Sequence, residues 1–288
     1  MANDTADDVT APKPLVVNGV NGHASAHPLG AAARPGTARA AELTVVIPCY
    51  NERNTVLDVI RMVGELPVDK EIIVVDNCST DGTRDLLIEA CNGVPDPSLQ
   101  PTIEGQRILR GDRFLLILQP KNFRKGTSVR TGVALARGTY VCCQDADLEY
   151  EPADIVRLLE HATRTRSAAV FGSRLSETKL ERPTTPKKAV FHAARVGLTH
   201  VFRALYASRI TDVATCYKLM RTDVAKSLGM EASGFELDFE IPAKLRKRQI
   251  VIDELPIAYH PRTHADGKKI GWRDGVAALY TMAKHRLP

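Results

Sequence analysis

The run Asp145-Ala146-Asp147-Leu148-Glu149 places three carboxylates at alternate positions. Two carboxylates at i and i+2 are able to converge on one hard cation, and Glu149 adds a third oxygen ligand. Mg²⁺ or Mn²⁺ takes such ligands and commonly keeps positions for phosphate oxygens. An ion held there would offset the charge of a departing diphosphate. A bare Asp-x-Asp is common in surface loops. Here it follows Tyr140-Val-Cys-Cys143, a strand-like run, so it stands where a buried strand ends.

Three further groups have the right chemistry for an anionic substrate. Asp76 closes the β-branched run Glu71-Ile-Ile-Val-Val75; a strand-end carboxylate accepts hydrogen bonds from a base N–H or a ribose hydroxyl, or else caps the following helix. Tyr259-His-Pro-Arg262-Thr-His264-Ala-Asp-Gly267-Lys268-Lys269 gathers positive charge on a Gly-containing segment. Arg262 offers bidentate and Lys268 point-charge contacts to phosphate; the alternative is a solvated basic loop. Phe235-Glu236-Leu237-Asp238-Phe239-Glu240 alternates acids. Glu236 or Asp238 would serve as base for a hydroxyl acceptor, whereas a phosphate acceptor needs little or none. Both are equally placed to be cap residues or ion-pair partners.

These residues need a frame. Leu43-Thr-Val-Val-Ile47, residues 71–75, Phe114-Leu-Leu-Ile-Leu118 and residues 140–143 read as strands. Residues 54–66, a helix capped by Ser79-Thr80-Asp81-Gly82 and residues 128–136 read as the helices between them. Residues 92–113, with Gly and Pro, read as a loop insertion. Strands alternating with helices predict a mostly parallel sheet whose ligands sit at the strands' carboxyl ends. Further on, the pattern predicts a helix over 153–161, a strand over 168–171, a helix over 187–206, a short strand pair within 250–258 and a helix over 272–285. The 187–206 helix either packs on the core or lies on a membrane surface.

The 288 residues are 44% hydrophobic and 25% charged, ordinary for a globular chain. Residues 1–42, rich in Ala, Gly, Pro and Asn, read as a disordered extension. Residues 43–288 then form one domain, with a nucleotide- and metal-binding half (43–150) and an acceptor-binding half (151–288). The net charge of +5 is uneven: residues 43–240 balance, and residues 241–288 carry ten basic against four acidic side chains. That end suits phosphate, diphosphate or an anionic membrane surface. With 5% aromatic residues and no nucleic-acid motif, nucleic acid is not an expected partner. The six cysteines show no zinc spacing and read as reduced thiols of a cytoplasmic protein. No apolar run reaches membrane-spanning length, and the N-terminus does not read as a secretory signal. Gly-x-Gly-x-x-Gly after the first strand and the P-loop pattern are both missing, which disfavours a dehydrogenase or P-loop enzyme.

Taken together, Pro48-Cys-Tyr-Asn-Glu52, Val75-Asp-Asn-Cys-Ser-Thr-Asp-Gly-Thr83, Asp145-Ala-Asp-Leu-Glu149, Gly172-Ser-Arg174 and Asp212-Val-Ala-Thr215 resemble the blocks of the family 2 glycosyltransferases with the GT-A fold. More narrowly, they resemble the dolichyl- and polyprenyl-phosphate sugar synthases. The resemblance spans about residues 43–275. It implies that Pro48, Tyr50, Glu52 and Asp76 line the nucleotide pocket, with Lys125, Arg130, Asp145 and Ala146 in the nucleotide-sugar set. It further implies that Asp145, Asp147 and Glu149 hold Mg²⁺ or Mn²⁺ and that Arg262 and Lys268 face phosphates. Two blocks depart from the family: Asn122-Phe-Arg124-Lys125-Gly126 stands for Asn-x-Gly-Lys-Gly, and Thr215-Cys-Tyr217 for a Thr-Ser/Cys-Gly-Phe type of run. The expectation is an inverting, metal-dependent glycosyltransferase. It moves sugar from a UDP- or GDP-sugar to a polyprenyl phosphate met at the cytosolic membrane face, with Glu236, Asp238 and Arg262 as catalytic candidates. A soluble acceptor is the alternative within the same chemistry, and a non-catalytic nucleotide-sugar-binding protein is the alternative outside it.

Overall fold

The computed structural model describes residues 41–175, 186–261 and 272–286, with side chains for all of these except 186–192 and 272. The proposed extension, but for residues 41 and 42, lies outside them. Regular structure opens at β1 (Leu43–Cys49), whose seven residues are all buried. Such a run, apolar on both faces, belongs in the middle of a covered sheet. It pairs in parallel with β2 (Lys70–Asp76) on one side and β6 (Tyr140–Cys143) on the other. β2 pairs in parallel with β5 (Leu115–Leu118).

Around this parallel centre the sheet turns mixed. β4 (Arg107–Arg110) runs antiparallel to β5, and β3 (Val94–Pro95) antiparallel to β4. The stretch read as a loop insertion therefore contributes the last two strands on this side, with β3 as the edge. They are short and one holds a proline, which is how an edge is tolerated without further pairing. Beyond β6, β8 (Lys218–Arg221) is antiparallel to both β6 and β7 (Ala169–Ser173). β7 pairs in parallel with β9 (Asp253–Pro256). Residues 250–258 thus give one strand rather than a pair. The sheet order is β3-β4-β5-β2-β1-β6-β8-β7-β9.

Alternation along the strands feeds two cores. Leu43, Val45 and Ile47 face α1 (Val56–Gly64), α2 (Thr83–Cys91) and α4 (Ala153–Thr165). Val46, Ile73 and Val75 face α3 (Arg124–Leu135), α6 (Thr222–Ser227) and α7 (Leu237–Lys247). In α1 the buried residues are Val56, Val59, Ile60 and Val63, the i, i+3, i+4, i+7 stripe of a helix with one face on a sheet. Each such side chain contributes about 1.5–3 kcal/mol by leaving water. A third cluster joins Phe202 and Tyr206 of α5 (Pro186–Tyr206) with Phe239 of α7 and with Ala278 and Met282 of α8 (Trp272–Arg286). The described part of α5 is therefore core-packed along that face. No helix among the described residues is long and apolar enough to cross a membrane.

β2, β1 and β6 point the same way, with β1 between them. The boundary between β1 and β6 is where the order of parallel strands reverses, the place at which sheets of this kind bind their ligands beyond the carboxyl ends. The loops after Cys49, Asp76, Leu118 and Cys143 all emerge at that edge.

Candidate active site

Asp145 follows β6 by two residues and meets Lys125, from the first turn of α3, with Nζ 2.7 Å from Oδ1 and 2.9 Å from Oδ2. The approach of α3 is set by two glycines. A Cβ on Gly132 would stand 2.3 Å from Val46 Cγ1, and one on Gly126 would stand 2.7 Å from the Ala232 carbonyl oxygen. The helix therefore lies flush on β1 and against residues 232–234, which brings the lysine to the strand end. Both side chains are 19% exposed. Burial opposes ionisation of Asp145, but the charge and hydrogen bond of Lys125 outweigh it, and the carboxyl is held below its ordinary value. Lys125 responds oppositely: burial favours its neutral form, yet Asp145 holds its ammonium well above the usual range. The site thus carries a stable ion pair at the strand reversal.

The acidic run then turns through Leu148, which has a left-handed φ of 59°. Asp147 Oδ1 accepts the Glu149 backbone N–H at 3.2 Å, and Glu149 Oε2 accepts the Tyr259 hydroxyl at 2.9 Å. Among the described residues, Asp145, Asp147 and Glu149 do not bring ligand atoms within 4.8 Å of one another. Lys125 holds the first of these carboxylates and Tyr259 the third. Asp145 and Asp147 alone still fit a hard divalent ion, which is ordinarily held by one or two carboxylates together with phosphate oxygens.

The β1 and β2 loops lock onto each other. Asn51 N–H donates to Ser79 Oγ at 3.0 Å, Thr80 N–H to Asn51 Oδ1 at 2.8 Å and Glu52 N–H to Thr83 Oγ1 at 3.0 Å. Pro48 is in β1 opposite Val75, and Tyr50 and Glu52 are half-buried beyond it. Ala146 accepts Thr55 Oγ1 at 2.7 Å through its carbonyl, tying the acidic run to this floor.

Asp76 is the last residue of β2. It is fully buried. Oδ2 accepts Arg84 Nε at 2.6 Å and Oδ1 accepts Ser79 N–H at 3.2 Å. These two bonds fasten the loop that follows β2. The neighbouring Asn77 receives Phe123 N–H at 2.9 Å and donates to Asn122 Oδ1 at 2.9 Å, joining β2 to the entry of α3.

On the other side of Lys125 lies a small cavity lined by Cys143, Cys216, Lys218 and Asp238 among others. Asp238 accepts Lys218 Nζ at 3.2 Å. Lys218, buried in β8, also donates to the Thr215 carbonyl. Glu236 stands apart from that pair: Oε1 accepts Gly234 N–H at 2.9 Å and Oε2 lies 3.8 Å from Arg124. It shapes the turn before α7. Arg130 donates to the Glu231 carbonyl at 2.7 Å, holding α3 to the same turn. Arg262 and Lys268 lie outside the described residues.

The last two sequence blocks form one bidentate pair. Arg174 Nε is 2.6 Å from Asp212 Oδ2, and Nη2 is 2.9 Å from Oδ1. Arg174 also donates to Tyr150 Oη at 2.9 Å and lies over the Tyr259 ring at 5.0 Å. Burial opposes the charge on Asp212, and Arg174 overrides it to hold the carboxyl low. The cluster anchors Tyr259, at the entrance of the basic segment. Sequence reasoning passed over Lys218 and Tyr259 as individual residues. Both stand in or beside runs it singled out, and only the folded contacts distinguish them.

The fold is the GT-A type expected. The profile described as "Glycosyl transferase family 2" matches residues 44–229. The dolichyl-phosphate beta-glucosyltransferase of Saccharomyces cerevisiae is 27% identical over 246 residues, 79% of this chain and 69% of that protein. The undecaprenyl-phosphate mannosyltransferase of Micrococcus luteus is 26% identical over 241 residues, 81% of this chain and 90% of that protein. In fold, the chain is similar to glucosyl-3-phosphoglycerate synthase of Mycobacterium tuberculosis, solved with Mn²⁺, UDP and phosphoglyceric acid. The TM-score is 0.59 at 16% identity, over 85% of this chain and 78% of that one. The chain belongs to glycosyl transferase family 2.

Proposed function

We propose that this protein transfers a hexose from a nucleoside diphosphate sugar to a polyprenyl phosphate. The observation that carries the reading is the Lys125–Asp145 pair at the carboxyl end of β6, beside β1. In a family 2 glycosyltransferase this is where the donor diphosphate belongs. The yeast and Micrococcus relatives are named for polyprenyl-type phosphates, which supports the acceptor class.

In the reaction, the bond from the anomeric carbon to the diphosphate oxygen breaks and the diphosphate leaves with its electron pair. The acceptor phosphate oxygen forms the new bond from the opposite face, giving inversion. That oxygen arrives as an anion, so no proton needs to be removed. Asp145 and Asp147 would hold Mg²⁺ or Mn²⁺, which supplies charge stabilisation to the leaving diphosphate. Lys125 keeps Asp145 ionised and oriented. The locked loops at Asn51, Ser79 and Thr83 provide a rigid floor for the nucleoside, with Pro48, Tyr50 and Glu52 at its edge and Asp76 fastening it from below. Lys218 and Asp238 flank the pair on the side of α7; for a hydroxyl acceptor, Asp238 is the candidate base. Arg262 and Lys268 are assigned to phosphate by the sequence alone.

A lipid acceptor implies a lipid surface. α8 supports this with Val276, Leu279 and Tyr280 exposed at 57%, 45% and 69% on one stripe. They belong to the segment that carries the chain's positive excess. We place peripheral contact with the cytosolic membrane face there.

The test is a panel of UDP- and GDP-sugars with Mn²⁺ and undecaprenyl phosphate, reading nucleoside diphosphate and glycolipid. Glycolipid formed from one donor class supports the reading. A rate indifferent to lipid points to a soluble acceptor, and donors that bind without turnover point to a binding protein.

A further inference from the structure

Two thiols stand where the site otherwise presents oxygen and nitrogen. Cys143 ends β6, and Cys216 lies two residues before β8. The antiparallel register Tyr140↔Arg221 and Val141↔Met220 carries the two toward each other. Cys216 Sγ donates to the Cys143 carbonyl at 3.6 Å. Both sulfurs and a carboxylate oxygen of Asp145 lie within 4.8 Å of one another, the one such group of three among the described residues.

We propose that Cys143, Cys216 and Asp145 form a site for a thiophilic divalent cation of the Zn²⁺ type. Tetrahedral Zn²⁺, with Zn–S near 2.3 Å and Zn–O near 2.0 Å, needs ligand atoms about 3.5–3.8 Å apart. The three atoms are within about an ångström of that spacing, a closure that rotation about the side-chain bonds supplies. Charge favours the same ligand set. Two thiolates and a carboxylate sum to −3, Zn²⁺ and the Lys125 ammonium to +3. A nearly dry position tolerates such a neutral cluster where it would not tolerate an unpaired charge. The two thiol protons leave to solvent as the ion enters.

Lys125 has a defined place in this arrangement. It already occupies both Asp145 oxygens at 2.7 and 2.9 Å, and each oxygen keeps a lone pair. It becomes the partner that orients a ligating carboxylate, the usual companion of a protein metal ligand. Cys216 is buried and Cys143 half-buried, so the ion enters past Cys143, and a water completes the fourth position. The soft site shares Asp145 with the hard-ion site proposed above, so Zn²⁺ bound there competes with transfer. The inference does not need the transfer reading, because binding is measured without donor or acceptor.

The experiment titrates Co²⁺ into the metal-free, reduced full-length protein and records absorbance. The expected result is a thiolate-to-cobalt charge-transfer band with tetrahedral d–d bands. Zn²⁺ removes these bands and Mg²⁺ does not. Cys143→Ser and Cys216→Ser should each weaken the charge-transfer band by about half or more, the double variant should lose it, and Cys78→Ser should keep it at full strength. A spectrum of oxygen-ligated octahedral Co²⁺ only, or a charge-transfer band that survives in the Cys143→Ser/Cys216→Ser double variant, overturns the site. If the serine variants do not fold, X-ray absorption at the zinc edge of the unaltered protein decides. Two sulfur neighbours support the proposal, and none or four refute it.

Discussion

Lys125 and Asp145 stand 20 positions apart in sequence and meet with Nζ between both carboxylate oxygens. The pair joins the first turn of α3 to the end of β6, and it depends on the flush seating of α3 that Gly126 and Gly132 allow. Its ionisation sets a window. The Asp145 carboxyl is held below its ordinary value of 3.8, so its contribution to stability is present above that value and is lost as pH falls through the folded one. Lys125 is raised above 10.5, so its contribution is full below that value and is lost as pH rises through the folded one. Between these limits the pair's contribution is flat. Urea midpoints against pH should show an acid limb below about pH 4 that is shallower in Asp145→Asn. An unchanged limb would remove the pair from the acid response.

Asp147 Oδ1 accepts the Glu149 backbone N–H, a bond that the amide oxygen of an asparagine is able to keep. Asp147→Asn should retain the native unfolding temperature within about a degree, since the substitution keeps shape at a half-buried site. It should lower kcat by on the order of 10³-fold, the scale of losing charge stabilisation of a leaving group. Stopped-time assays of nucleoside diphosphate release, with and without chelator, check both. Full activity in this variant or in excess chelator would dispose of the hard-ion role.

Arg174 and Asp212 predict a different kind of loss. Both are buried, and the pair is bidentate. Asp212→Asn leaves the guanidinium without a counter-charge, a break that costs about 3–5 kcal/mol and lowers the unfolding temperature by roughly 10 °C. Tyr150 and Tyr259 rest on the same arginine, so the entrance to the basic segment should loosen with it. Calorimetry of the variant reads the first effect. Limited proteolysis within 260–271 reads the second.

What was legible in the sequence follows from range. β1 and β2 are uninterrupted apolar runs, and α1 shows its stripe directly. The motifs that flank the crevice are local, so their placement at strand ends could be read. Pairing between distant residues could not. Arg174 and Asp212 are 38 positions apart, and Cys143 and Cys216 are 73 apart. Each pair meets only because β8 inserts antiparallel between β6 and β7. β8 itself is four residues with a buried lysine, which no hydrophobic pattern announces. Asp76 reads as a ligand contact because strand ends usually face the crevice. Arg84, the second residue of α2, reaches back to pair with it.

Arg124 holds a backbone conformation that suits glycine. Its φ is 69°, in the left-handed region, which costs a side chain-bearing residue roughly 1–2 kcal/mol. The guanidinium returns part of this through Asp274 at 3.4 Å and Glu236 at 3.8 Å. It is 55% exposed, so those contacts are worth about 0–1 kcal/mol. Arg124→Gly should therefore leave stability unchanged or raise it by up to about 1 kcal/mol. Denaturant unfolding checks this, and a loss beyond 1 kcal/mol would mean that the ion pairs outweigh the strain.

The stripe on α8 separates membrane docking from chemistry. Leu279 and Tyr280 are exposed, while Ala278 and Met282 on the inner face pack against α5 and α7. Leu279→Ser with Tyr280→Ser should then change stability by no more than about 0.5 kcal/mol for each substitution. Withdrawing one leucine-sized side chain from a lipid surface forfeits about 1.5–3 kcal/mol, at least roughly tenfold in partitioning. Co-sedimentation with anionic vesicles should fall by that factor or more. Turnover of a water-soluble short-chain polyprenyl phosphate should persist, because neither side chain carries a step of the assigned chemistry. Equal vesicle binding by the two proteins would move the membrane contact off α8. Loss of turnover on the soluble acceptor would instead make the stripe part of the acceptor site itself.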